Sequence, residues 1–267
     1  MKIYDRDFTK LTQQESEEWG LLEEKAVTHK LGNQSIMRNV YREYPVAVRH
    51  YLSLFPNNHL DIVDLHKENE LTNLVEQFHK ELEKPMTNER SILNFIKENK
   101  AHFIIASIMK EMYSFGHHDA FIIPEFQLGN KYQVDYLLIG KNSGGYEFIF
   151  VELEHPSKNI ILKEGDLGEA FRKGENQIKD WQTFLEEDFS SFTSTILKYK
   201  HPNMDLPKEF MRQDSSRFHF AVIAGRRLDF EDKTYKIKRQ KLKDKIQLLH
   251  YDNLCDSAKA LIGKATY

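Results

Sequence analysis

Three carboxylates stand where the surrounding sequence is apolar. Asp135 interrupts the run Val134–Leu138, and Glu152 and Glu154 lie two residues apart in Ile149–Glu154. Period-two alternation sends the two glutamates to the same side of a strand. Unpaired charges in strands this apolar are expensive to desolvate. A divalent cation can neutralise three carboxylates together, and hard oxygen ligands suit Mg²⁺ or Mn²⁺. Such an ion lowers the pKa of a bound water and offsets charge developing on a phosphate. Asp135 and Glu152 are the candidate ligands, and Glu154 is a further ligand or a general base. Gln177, on a following helix, is placed to orient the water or a phosphate. Glu89, in the first turn of an earlier helix, adds an outer carboxylate to the metal site. The bland reading is that strand acids are edge residues or salt-bridge partners. It suits any one of these acids taken alone better than it suits the combination.

The elements that must hold these residues follow from pattern. Phe121–Leu128, Gln133–Ile139 and Tyr146–Glu154 read as strands, separated by turn signals at Gly129–Asn130 and Lys141–Gly145. Gly168–Glu187 reads as an amphipathic helix with Ala170, Phe171, Gln177, Ile178, Trp181 and Leu185 on one side. Phe218–Ala224 is apolar enough for a central strand. Tyr235–Lys245 reads as a basic helix, Ile246–Tyr251 as a short strand and Asp256–Ile262 as a last helix. Upstream, helical spacing runs through Glu15–Lys30, Leu71–Leu82, Asn88–Glu98 and His102–Met112. Val40–Tyr44 could be strand and Val46–Leu52 helix. Pro85 stops one helix and Thr87 or Asn88 can cap the next, which makes this the best boundary. The expected order from residue 88 is helix, three meandering strands, helix, strand. That is an α/β unit on a mixed sheet covered by helices.

Bulk properties narrow the classes. The 267 residues allow two ordinary domains or one large one, and 40% hydrophobic content supports a packed core. A formal charge of −3 gives no global case for nucleic-acid binding, so any such contact must be local. The single cysteine, Cys255, excludes an intramolecular disulfide, suits a reducing cytoplasm and reads as a buried thiol. No apolar run approaches the roughly 20 residues of a membrane span, and Met1–Asp7 does not lead into a signal peptide. The expected protein is cytoplasmic and has no membrane partner.

Local positive charge is concentrated in Lys233–Lys245, with seven basic residues and one acid, including Lys238, Arg239 and Lys241. It could contact phosphates without reading sequence, or form a solvated helix face. Arg226 and Arg227 stand after a strand and could touch phosphate or form a salt bridge. His117–His118–Asp119 lacks partners at metal-ligand spacing and reads as a surface turn. Trp181 reads as a core anchor, and His155 has no assigned role. There is no phosphate-binding glycine loop and no serine-hydrolase elbow.

The residues Asn88–Glu89–Arg90 with Phe95–Asn99, Glu125–Asn130, Val134–Asp135–Tyr136, Val151–Pro156, Ala170 and Gln177–Trp181 together resemble the nuclease domain of the Shedu antiphage-defence proteins. They resemble more broadly the PD-(D/E)xK nuclease superfamily. The resemblance spans roughly 88–262, with Ile223–Arg226 similar to the family's Gly-Arg after the fourth core strand. It implies a restriction-endonuclease-like α/β core over 86–267 and a mainly helical, regulatory or oligomerising domain over 1–85. The implied activity is metal-dependent endonuclease or nickase cleavage of DNA, phage or plasmid, in antiviral defence. Homo-oligomers, specifically tetramers, are also implied. Asp135 matches the metal-binding aspartate and Glu152 the first acid of the motif. Glu154 stands where the superfamily has lysine. Some restriction endonucleases of the superfamily carry glutamate there and remain metal nucleases. Lys158 or Lys163 could reach the site instead. Two other readings remain open: a catalytically inactive binding module on the same fold, and a hydrolase of another phosphate ester.

Overall fold

The structure is a computed structural model that describes residues 2–31, 34–37, 44–112, 119–162 and 166–267, with only the backbone of 22–31, 34–37 and Met112. Val40–Glu43, His117–His118 and Lys163 lie outside the described residues.

The first helix, α1 (Gln13–Ala26), ends four residues before the expected Lys30. Val27–Leu31 (β1) pairs antiparallel with Gln34–Met37 (β2) instead. Val27 and Thr28 are β-branched and favour a strand over a further helical turn. The possible helix over Val46–Leu52 is present as α2 (Pro45–Tyr51), which starts with proline at its first turn. The helix α3 (Glu68–Leu82) buries Leu71, Val75, Phe78 and Leu82 on one face. Asn88 caps α4 (Glu89–Glu98), accepting the Ser91 N–H at 3.1 Å. The single helix expected over His102–Met112 is two, α5 (His102–Ala106) and α6 (Ile108–Met112). The break falls at Ser107, whose hydroxyl donates to the Ile104 carbonyl at 2.7 Å and so competes with helix continuation.

The five-stranded sheet runs β3 (Ala120–Leu128), β4 (Tyr132–Asn142), β5 (Gly145–Leu153), β6 (Phe218–Ile223), β7 (Ile246–Leu249), in that order. The first three strands form an antiparallel meander, and β6 and β7 add in parallel. The sheet is therefore mixed, as the sequence led us to expect. Between β5 and β6 lie α7 (Glu169–Glu187) and α8 (Phe189–Ile196); the α8 segment carried no expectation. The helix α9 (Asp232–Lys241) precedes β7, and α10 (Tyr251–Leu261) follows it.

Both faces of the sheet are covered. Ile122, Leu138, Ile149, Val151, Leu153, Ala221 and Ile223 pack with α3, α4, α5 and α10. Phe121, Ile123, Leu137, Phe148, Phe150, Phe220 and Val222 pack with α7 and α8. Burial on both faces explains why β5 and β6 read as near-continuous apolar runs. Ile3, Leu60 and Leu65 join the first layer. The chain at 58–60 lines the outer edge of β3: Leu60 N–H donates to Ala120 O at 2.8 Å, and Ile122 N–H to Asn58 O at 3.0 Å. That contact covers an edge that would otherwise template aggregation.

Gly174 sets the distance of α7 from the sheet. A Cβ there would stand 2.5 Å from Val222 Cγ1 and 3.4 Å from Glu154 Cγ. Val222 is fully buried on a central strand and cannot give way. Gly174→Ala is expected to destabilise by about 1–3 kcal/mol through overpacking, more than the roughly 1 kcal/mol gained in helix propensity. The urea midpoint should fall with unchanged m; an unchanged midpoint would mean that α7 can lift without penalty.

Candidate active site

The sheet brings Asp135 and Glu152 together by register. The β4–β5 ladder ends at Tyr136 and Val151; Asp135 and Glu152 are the next residues along the two strands, and the Asp135 charge acts on Glu152. Asp135 lies at a slip in the alternation: Val134, Leu137 and Ile139 all pack in the α7 layer. The pairing with β3 steps from Pro124↔Tyr136 to Phe126↔Val134, and the intervening Glu125 has φ of 48°. Period-two counting alone therefore did not fix where Asp135 points. Its carboxylate is fixed by a bond across the strands, Oδ2 accepting the Leu153 N–H at 2.7 Å.

Glu152 and Glu154 are both 3% exposed. The Glu154 backbone is held from two sides. Its N–H donates to Ile223 O at 2.8 Å, and its carbonyl accepts the buried Tyr251 hydroxyl at 2.6 Å. Glu89 comes from the first turn of α4. The cation that reaches the cluster is not one the sequence pattern singled out. Lys173, on α7, places Nζ 3.0 Å from the Glu154 carboxylate and 3.5 Å from Glu89. Nothing in its local sequence marks it, because a lysine on a helix usually means a solvated face.

The electrostatics express one imbalance, four carboxylates against one ammonium. Burial pushes Glu152 up to about 10, with Asp135, Glu154 and Glu89 adding their repulsion. Burial likewise pushes Asp135 up to about 7 against the stabilising Leu153 N–H, and Glu89 and Glu154 add to the rise. Glu154 is raised by burial but held back by Lys173. Burial lowers Lys173, yet Glu154, Glu89 and Glu152 more than offset it, so the ammonium persists. One acceptor is left over. Gln177 Oε1 is buried without a hydrogen-bond partner, and Glu154 Oε1 is met only by the Lys173 ammonium at 3.0 Å, outside hydrogen-bond geometry. Gln177 lies one turn beyond Lys173 on α7, and both line an open cleft with Asn176.

A family model described as Shedu protein SduA, C-terminal, matches residues 86–255. The chain belongs to the Shedu family. Membership implies a part in antiphage defence. A search of curated proteins returned no match.

In this Shedu chain the residues present fit a hard divalent ion. The donors are carboxylate oxygens, two carboxyl groups are driven toward protonation by burial and mutual repulsion, and the buried Gln177 Oε1 lacks a partner. Among the described residues, no three His, Cys, Asp or Glu side chains converge on one point. A cation here would therefore rest on one or two carboxylates and on water, a donor set that Mg²⁺ accepts. Asp135 and Glu152 are the pair just past the end of the β4–β5 ladder; Glu89 stands beside Lys173.

The other basic candidates are largely engaged elsewhere. Arg226 makes a two-pronged contact with Asp252, at 3.0 and 2.7 Å, and donates to Leu82 O at 3.2 Å. Arg227 pairs with Asp256 and Lys241 with Glu175. Lys158 lies 3.1 Å from Glu169. Lys238 is half-buried, and burial lowers its pKa; Arg239 is exposed. Cys255 is buried, and burial pushes its thiol up to about 12, an inert state. Among the described residues no helix is long and apolar enough to cross a membrane.

Proposed function

We propose that this Shedu protein is a metal-dependent DNA endonuclease or nickase on a PD-(D/E)xK core, acting on phage or plasmid DNA. The observation that carries the reading is the buried, mutually repelling pair Asp135 and Glu152, set across two strands beside a lysine. Structural acids are rarely kept this way, whereas functional sites often are. Asp135 and Glu152 would hold Mg²⁺ or Mn²⁺. The ion would supply an activated water and offset charge on the phosphate in flight. Glu154 accepts a proton or orients the water through its carboxylate, with Gln177 Oε1 as the second acceptor. Lys173 stands in for the missing motif lysine and meets the developing phosphate charge from α7. Residues 1–85 regulate or assemble the 86–267 part, and the pairing of 58–60 along β3 supports their coupling. The assembled form is a homo-oligomer, a tetramer by resemblance.

The test is cleavage of supercoiled, linear and single-stranded DNA with Mg²⁺, Mn²⁺ or chelator. Metal-dependent cutting that disappears in Asp135→Ala is expected. Cutting by Asp135→Ala at the parental rate would remove this site. DNA binding with no cutting under any metal would favour the inactive binding module.

A further inference from the structure

A groove of about 510 Å³ opens between the N-terminal segment Lys2–Asp5 and the outer face of α4. Glu89, Asp135, Glu152 and Glu154 do not line it, but residues next to two of them in the chain do. Its wall includes Arg90, the neighbour of Glu89, and Tyr136, the neighbour of Asp135. Along α4, Arg90, Asn94 and Lys97 recur at i, i+4 and i+7, which puts them on one stripe. Lys100 continues that line past the helix end.

Three features of the groove are unusual. Two of the three described non-glycine residues with positive φ, Lys100 at 53° and Glu125 at 48°, line it. At a helix end this conformation favours glycine, and strain of this kind collects where a ligand is handled. Two of the cations are also weakly engaged, whereas Lys100 pairs with Asp5. Arg90 is 69% exposed and only 3.8 Å from its nearest carboxylate, Glu125, and Lys97 has no carboxylate in ion-pairing range among the described residues. Finally, His102 lines the same groove, and its buried Nδ1 has no partner.

We propose that this groove carries the cut DNA strand, with the Arg90–Asn94–Lys97 stripe holding the phosphates next to the scissile one. The proposal rests on reading the carboxylate cluster as a DNA-cleaving site. It moves the backbone contact from the basic run of α9 to α4. The stripe presents spaced cations and an amide, which suits a phosphate–sugar backbone and reads no base. A strand laid along it would enter the carboxylate cluster at Glu89.

The experiment uses the full chain in chelator, so that nothing is cut, and measures anisotropy of fluorescein-labelled duplex and single-stranded oligonucleotides across a salt series. Arg90→Ala/Lys97→Ala should weaken binding by roughly tenfold or more and flatten the salt slope by about two. Lys198→Ala/Lys208→Ala, two exposed lysines elsewhere, should bind as the parent does. All three proteins should melt together, since Arg90 and Lys97 are exposed. Unchanged affinity and slope in the α4 variant, from a parent that binds and cuts DNA, would overturn the groove and leave the nuclease standing. Loss confined to Lys238→Ala/Arg239→Ala would return the strand to α9 and also overturn it. A parent that neither binds nor cuts DNA would end both readings.

Discussion

Glu152→Gln is expected to abolish DNA cleavage and to stabilise the metal-free fold. The two effects have one cause. Glu152 is 3% exposed and its carboxyl is pushed up to about 10 by burial and by Asp135, Glu154 and Glu89. An unfolded glutamate titrates near 4.3. Between those values the folded state holds a proton that the unfolded state does not, so stability falls as pH rises through that window. Glutamine has the same shape and no charge to desolvate. Its advantage should be small below about pH 4, grow through neutrality and amount to about 2–4 kcal/mol near pH 8, after allowance for coupling with Asp135. In a chain of this size that is about 2–4 °C in melting temperature per kcal/mol. Mg²⁺ should then raise the melting temperature of the parent by mass action and leave that of the variant nearly unchanged. Cleavage should drop by roughly a thousandfold or more, in line with losing a group that acts on the transition state. Thermal melts at pH 5 and pH 8, with and without Mg²⁺, separate the outcomes. A variant less stable than the parent at pH 8 would mean that Glu152 is a satisfied structural acid and that the cluster is not a cation site.

The sequence disclosed the acids more readily than their surroundings. Glu152 and Glu154 were legible because period-two alternation is rigid and both fall in one apolar run, Glu154 one residue past the end of β5. Asp135 was legible as an anomaly, a charge within Val134–Leu138, but its orientation was not. The left-handed Glu125 on the neighbouring strand slips the alternation at that point, and a backbone conformation on another strand leaves no local trace. The split of α5 from α6 was hidden for a similar reason: one serine hydroxyl competing for a carbonyl decides it. The end of α1 at Ala26 was not legible, because apolar spacing continued while β-branched residues had already tipped the backbone preference. The mixed sheet was visible because connection lengths constrain topology. The α4 groove was not, since it exists only once Lys2–Asp5 folds beside a helix nearly ninety residues on.

Lys173 is the largest omission, and it carries the second large effect. Lys173→Ala should lower cleavage by roughly 10²–10³ without weakening Mg²⁺ binding, since removing a cation from among four carboxylates relieves no attraction the metal needs. Its side chain is 52% exposed, so the fold should tolerate the change. A merely structural lysine would give a different pattern: a lower melting temperature, and activity that recovers when the assay is cooled. The decisive arm exploits Glu154, which occupies the position where the superfamily pattern has lysine. Glu154 and Lys173 already touch at 3.0 Å, so an ammonium placed at either position reaches the same point between β5 and α7. Glu154→Lys introduced into Lys173→Ala restores one lysine to the cluster from the strand side and leaves Gln177 as the acceptor that orients the water, so it should recover at least tenfold of the lost rate. Lys173→Met should lack activity as Lys173→Ala does, because the requirement is for charge rather than bulk. If Lys173→Ala cuts like the parent, the ammonium only neutralises Glu154 and Glu89. In that case the charge on the phosphate must be met by a group the carboxylate cluster does not contain.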